Sequence, residues 1–195
     1  MSKKEDSYPA TTGRPELAIG LVHNPVVNKY GETVTSSITT IDVHDMARMC
    51  KTFDISALYV VTPLKSHQRL VERVAKHWTS GFGAEYNPSR KKALGLVKVV
   101  DSIDDMLNNF SSEGRAYLLI ATSGRGGDKV FSFPEVRNAI WETGRAVLLF
   151  GTAHGLAGSV IGRANMLLEP IRGVSDYNHL PVRAAVAIIL DRLLS

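Results

Sequence analysis

From Leu17 onward, short apolar runs recur along the chain: Leu17–Val22, Ala57–Val61, Val97–Val100, Ala116–Ala121, Ala146–Phe150 and Met166–Leu168. They are rich in Val, Ile and Leu without polar alternation, the pattern of strands buried on both faces. Between them the spacing turns helical. Val43, Met46, Ala47, Cys50 and Phe53 share one face, as do His67, Leu70, Val71, Val74 and Trp78. Ile103, Met106, Leu107 and Phe110 follow a cap at Asp101 or Ser102. Pro134 suits the first turn of a helix that carries Val136 and Ile140 and stops at Gly144. A last helix spans about Pro181 to Leu194, with Val182, Ala185, Val186, Ile189 and Leu193 inward. This alternation predicts an α/β fold, a mostly parallel sheet with helices on both faces and ligands at the carboxyl ends of the strands.

Two stretches fall outside the pattern. Residues Met1–Pro15 are polar, proline-bearing and aperiodic and read as a flexible tail, leaving 16–195 as a single domain. The polar connection Thr79–Gly95 carries Arg90, Lys91 and Lys92 beside Tyr86. It reads either as a loop that touches RNA or as a solvated basic turn.

Composition narrows the class only modestly. With 44% hydrophobic and 22% charged residues, the 195-residue chain is an ordinary globular one, not a disordered or fibrous one. A net charge of +4 favours an anionic partner such as RNA, although solubility alone explains it equally well. The single cysteine, Cys50, excludes an intramolecular disulfide and a multi-cysteine zinc site, and the histidines are scattered, so no metal is expected. No apolar run approaches a membrane span and no h-region follows the N-terminal charges, so the expected location is cytoplasmic.

The candidate chemistry lies in three loops. Thr122-Ser123-Gly124-Arg125-Gly126-Gly127 follows one strand, and Gly151-Thr152-Ala153-His154-Gly155-Leu156-Ala157-Gly158 follows another. Small residues there let backbone amides approach a ligand. Neither loop has the G-x-G-x-x-G of a dinucleotide fold or the G-x-x-x-x-G-K-[ST] of a P-loop. The third, Glu169–Leu180, opens directly onto the alanine-rich helix PVRAAVAIILDRLL.

A strand with a glycine loop, a short helix, a short strand and a loop opening onto a small-residue C-terminal helix resembles the SPOUT methyltransferases. The resemblance runs in element order from Leu17 and is sharpest from Ala146 to the end. GVSDYNHLPVRAAVAIILDRL is similar in layout to the C-terminal segment of bacterial tRNA guanine-N1 methyltransferases, and DVHDMARMCKTFD to the first motif of the ribose-methylating branch. The resemblance implies a deep C-terminal trefoil knot, S-adenosylmethionine as cofactor, RNA (tRNA or rRNA, base or ribose) as substrate, and a homodimer.

Carried over residue by residue, it implies cofactor contacts at Thr122, Ser123 and Gly124, then Gly151, Thr152 and Gly155, then Ile171, Tyr177, Asn178, His179 and Leu180. Ala121 and Phe150, at the strand ends before the first two loops, belong to the same implied cofactor site. On the helix beginning near Asp42, itself a possible N-cap, His44, Asp45 and Arg48 lie opposite the apolar stripe, with His44 and Arg48 one turn apart. Arg48 matches the substrate-facing arginine of the ribose-methylating branch and is the leading catalytic candidate, with Asp45 and His44 beside it. An exposed Asp45–Arg48 ion pair without function is the plain alternative. His154 departs from the acidic residue usual in that branch, and Pro181 from a small polar one. The alternative function is a non-catalytic RNA-binding or assembly protein that kept the fold; a generic nucleotide-binding α/β enzyme ranks last.

Overall fold

The computed structural model describes residues 13–111, 114–175 and 177–195. Most of the tail expected over Met1–Pro15, and Asp176 of the third loop, lie outside the described residues. In chain order the elements are β1 (Glu16–Val22), β2 (Val26–Val27), β3 (Thr33–Val34), α1 (Thr40–Thr52), β4 (Ala57–Val61), α2 (Lys65–Thr79), α3 (Gly81–Tyr86) and α4 (Pro88–Leu94). There follow β5 (Val97–Val100), α5 (Ile103–Phe110), β6 (Leu118–Thr122), α6 (Phe133–Thr143), β7 (Arg145–Gly151), α7 (Gly158–Ile161), β8 (Met166–Leu168) and α8 (Val182–Leu194).

The six apolar runs pair in parallel in the order β5-β4-β1-β7-β6-β8. The central strands β1, β4 and β7 are buried almost throughout, which explains their unbroken apolar sequence, while the edge strands β5 and β8 are half-exposed. Alternate residues of one strand serve opposite layers. Leu17, Ile19 and Leu21 join Met46, Cys50, Ile140, Val186 and Leu190 on one face. Ala18 and Val22 join Tyr59, Met106, Phe110, Leu149 and Val160 on the other. Gly20 also points to the second layer. A Cβ there would stand 2.7 Å from Met106 Sδ and 2.8 Å from Leu149 Cδ2, so the methionine occupies the volume that a larger residue would need.

Local signals set most boundaries. Ser132 and Glu135 form a reciprocal capping box at α6, Pro134 occupies its first turn, and Gly144 closes it in the left-handed region at φ 73°. Ser102, not Asp101, caps α5 by accepting from the Asp105 amide. Helix α1 begins at Thr40 after Thr39, which puts Asp42 inside the first turn instead of at the cap. Cys50 is fully buried on the apolar stripe, and burial pushes its thiol up to about 12.

Two differences from the expected pattern stand out. Thr79–Gly95 is no loop: it folds into the end of α2 and the short helices α3 and α4. The small β2–β3 hairpin is an addition, because two-residue strands leave no periodic trace. Among the described residues no helix is long and apolar enough to cross a membrane, and no three His, Cys, Asp or Glu side chains cluster to hold a metal.

At the end of the sheet opposite the strand termini discussed below, Arg145 is buried and fully engaged. Its Nε donates to Glu16 at 2.8 Å, Nη1 to the Arg115 carbonyl at 3.1 Å and Nη2 to the Phe110 carbonyl at 2.8 Å, while the guanidinium lies 4.4 Å over the Phe110 ring. Replacing it by methionine strands these acceptors. Arg145→Met is expected to lower unfolding free energy by about 3 kcal/mol in a denaturant titration.

Candidate functional site

The sheet order reverses between β1 and β7, the point at which parallel sheets open a crevice beyond their carboxyl ends. A cleft of about 590 Å³ lies there, within the usual size of small-molecule sites. The loops after β6 and β7 and the segment after β8 all reach it, contributing Thr122–Arg125, Phe150–Gly155, Glu169–Ile171 and Asn178–Pro181. The start of α8 and the segment before α1 complete the wall.

The loops are fixed largely by main-chain geometry. Thr122 Oγ1 donates to the Leu149 carbonyl at 2.9 Å and Thr152 Oγ1 to the Val22 carbonyl at 3.0 Å, tying both loops to neighbouring strands. The turn after β7 is tight. Ala153 sits in the left-handed region at φ 52°, and Gly155 at φ 112°. Such a conformation costs a non-glycine residue about 1 kcal/mol or more, and it persists here because the flanking bonds from His154 N to Val27 O and from Val27 N to Gly155 O hold the loop. A Cβ at Gly151 would stand 2.4 Å from Leu156 N, so this turn requires glycine for close approach. Across the cleft, Asn178 Nδ2 donates to the Gly124 carbonyl at 2.8 Å and links the third loop to the first.

Of the residues expected to meet a cofactor, Thr122, Ser123, Gly124, Phe150, Gly151, Thr152, Gly155, Ile171, Asn178, His179 and Leu180 all line this one cleft. Ala121 does not; it is wholly buried within the second core layer. Tyr177 is also outside the lining, 73% exposed as a residue, with its ring edge-on to His179. His154 lines the cleft.

The residues of α1 divide. Asp45 forms an ion pair with Arg183 Nε at 3.5 Å and stands 4.0 Å from Arg48, whose side chain is 61% exposed. His44 points elsewhere, its ring edge-on to Trp78 at 5.6 Å between α1 and α2. Burial and then the Arg90 charge lower its pKa, against the opposing pull of Asp45, so it is neutral near pH 7. Neither Asp45 nor Arg48 lines the cleft: Asp45 is joined to it through Arg183, Arg48 reaches only Asp45, and His44 faces Trp78 instead.

Sequence reasoning missed Arg183. From the first turn of α8 it bridges Asp42, at 3.1 Å from Nη1, and Asp45, and both Asp42 and Arg183 line the cleft. A cation at a helix N-terminus opposes the helix dipole, and that unfavourable placement was the available signal. His23 was missed as well. It is fully buried just beyond β1, and its Nδ1 pairs with Ser36 Oγ at 3.0 Å. Ser36 bonds in turn to Thr152 Oγ1, and both hydroxyls line the cleft. Burial, reinforced by the nearby His67, lowers the His23 pKa to about 4.

A family described as SAM-dependent RNA methyltransferase matches residues 16–195. A tRNA (guanine-N(1)-)-methyltransferase of Oleidesulfovibrio alaskensis is 42% identical over 179 residues, which are 91% of this chain and 42% of that protein. The chain thus spans less than half the length of that relative. An uncharacterized protein of Aquifex aeolicus is 36% identical, with 91% of this chain covering 87% of it. Among solved structures, the A. aeolicus TrmH/SpoU tRNA modifying enzyme superposes with a TM-score of 0.58 at 17% identity, covering 93% of this chain and 75% of that one.

The His23 environment makes stability depend on pH. The unfolded chain protonates this ring near pH 6.5 and the folded protein only near 4, so the unfolded state binds more protons between these values. Stability is expected to be undiminished above pH 6.5 and to fall by up to about 3 kcal/mol as the pH drops toward 4. Denaturant titrations of wild type and His23→Gln across that range check this, the variant giving the flatter dependence.

Proposed function

Because the chain belongs to the family of SAM-dependent RNA methyltransferases, we propose that the cleft beyond β6, β7 and β8 holds the cofactor and that the chain methylates tRNA or rRNA beside it. The observation that carries this reading is the convergence of three separated loops on one cleft. Its residues suit the group: Ile171, Leu180, Val182 and Ile189 offer apolar surface to a flat base, the loops offer backbone donors and acceptors, and Asp42, Arg183 and Glu169 offer charge. S-adenosylmethionine supplies, when bound, a methyl group on a sulfonium that is open to attack by a nucleophile.

The chain's own part is orientation. Thr122–Gly124, Gly151–Gly155, Ile171 and Asn178–Leu180 hold the cofactor, with Ala121 supporting the first loop from below. Arg48, steadied by Asp45, meets an RNA phosphate or base, and Arg183 fixes Asp42 and Asp45. His44, neutral and packed on Trp78, acts on this helix as a support. Support for a knotted path comes from the chain course: β8 pairs beyond β6, and the following segment returns past Gly124 before α8 packs on α1, α6 and β7. A homodimer, a single domain over 16–195 and a cytoplasmic location belong to the same reading. The guanine-N1 target named for the longer relatives is one candidate atom, since the matched part is less than half of those proteins.

Isothermal titration with S-adenosylmethionine tests the cofactor reading. Wild type should bind with measurable heat, and Gly155→Val, which strains the loop at φ 112° and adds a side chain there, should abolish that heat while circular dichroism stays folded. Absence of binding to wild type at millimolar cofactor, with RNA still retained, would point instead to the non-catalytic alternative. Arg48→Ala should keep cofactor affinity and lose about a hundredfold in methyl-transfer rate.

A further inference from the structure

The surface of α2, α3 and α4 carries two features that the cleft does not use. Phe82 and Tyr86 of α3 are 78% and 75% exposed, and their rings stack at 5.6 Å with an interplanar angle of 21°. Between Lys65 and Lys98 the sequence has eight Lys and Arg against two acids, Glu72 and Glu85, a positive balance larger than the +4 of the whole chain. The segment that carries this aromatic pair is thus the one that holds the chain's excess positive charge.

The backbone builds this arrangement deliberately. Gly81 turns the chain at φ 60°, and a Cβ at Gly83 would stand 2.2 Å from the His77 carbonyl oxygen, so only glycine lets α3 close against the end of α2. The Asn87 side chain then caps α4 by accepting from the Arg90 amide at 2.9 Å. Arg90 is held 4.4 Å over the Trp78 ring, and Lys91 and Lys92 stand exposed beyond it. Trp78 also meets His44 of α1, the helix whose Asp45 reaches Arg183 at the cleft, so this face and the cleft are joined through α1.

We propose that this face docks an unpaired stretch of RNA, with bases stacking on Phe82 and Tyr86 and phosphates meeting Lys91 and Lys92. The proposal rests on the reading of RNA as substrate. Exposed aromatics with interleaved cations suit single strands, because every base offers a π-face and every nucleotide a phosphate. A second copy of the chain is disfavoured as occupant: a two-fold contact through this face would oppose the same cations to each other.

Fluorescence anisotropy of the full chain with a labelled oligouridine, and with an RNA duplex of equal length, tests it. The Phe82→Ala/Tyr86→Ala variant should weaken oligouridine binding tenfold or more and duplex binding far less. Lys91→Gln/Lys92→Gln should lower the dependence of binding on salt by roughly two released counterions. Unchanged oligouridine affinity in the aromatic variant, or equal loss on single strand and duplex, would overturn the proposal. So would a wild-type dimer that light scattering finds dissociated in that variant, since a second copy would then cover the rings. Cofactor heat measured on the same samples separates the two readings: its absence in wild type condemns the cleft assignment, whereas its retention in variants with weakened RNA binding locates the loss at the docking face.

Discussion

The parallel pairing of β1 with β7 is the constraint from which the rest follows. It joins Glu16–Val22 to Arg145–Gly151 in continuous register, although more than half of the chain lies between them. Because β4 and β5 extend the sheet on one side and β6 and β8 on the other, this seam is where the connections diverge and a crevice must open. The seam also sets the fine geometry of the wall. Thr152 reaches back to the Val22 carbonyl, and Ser36 links it to His23, so the loop after β7 is anchored to the end of β1 and not merely adjacent to it.

On that frame, the third loop and α8 act as the closing side of the site. Asn178 ties the loop to Gly124, and Arg183 ties the helix to Asp42 and Asp45. Neither link is strong alone, since the arginine and its partners are partly solvated. Together they bring residues from the two ends of the chain to one cleft. The candidate Arg48 lies outside the cleft lining, exposed beside Asp45, which suits a group that must meet a large partner.

Much of this was legible in sequence because the central strands are buried on both faces and the helices on one, and burial writes itself as apolar periodicity. The glycine loops were legible for a related reason: Gly151 and Gly155 mark places where a Cβ or an ordinary φ is forbidden. What escaped was structure held by tertiary contact. Helices α3 and α4 are too short to show a period, yet Asn87 followed by Pro88 was a cap signal that could have marked α4. His44 faced the right way on a helical wheel, but Trp78 from another element claims it. Arg183 sat on a helix read only for its apolar side, and Tyr177 in a loop whose members do not all turn inward.

Delivery of a methyl group from the cleft to RNA is the step on which the assignment of the site depends. The direct measurement is incubation of the full chain with methyl-labelled S-adenosylmethionine and total RNA from cells lacking it, followed by digestion to nucleosides and identification of the labelled species. One labelled methylnucleoside, formed about a hundredfold more slowly when Arg48 is replaced by alanine, is the predicted result. Cofactor bound at the cleft with no label in any RNA would contradict the account.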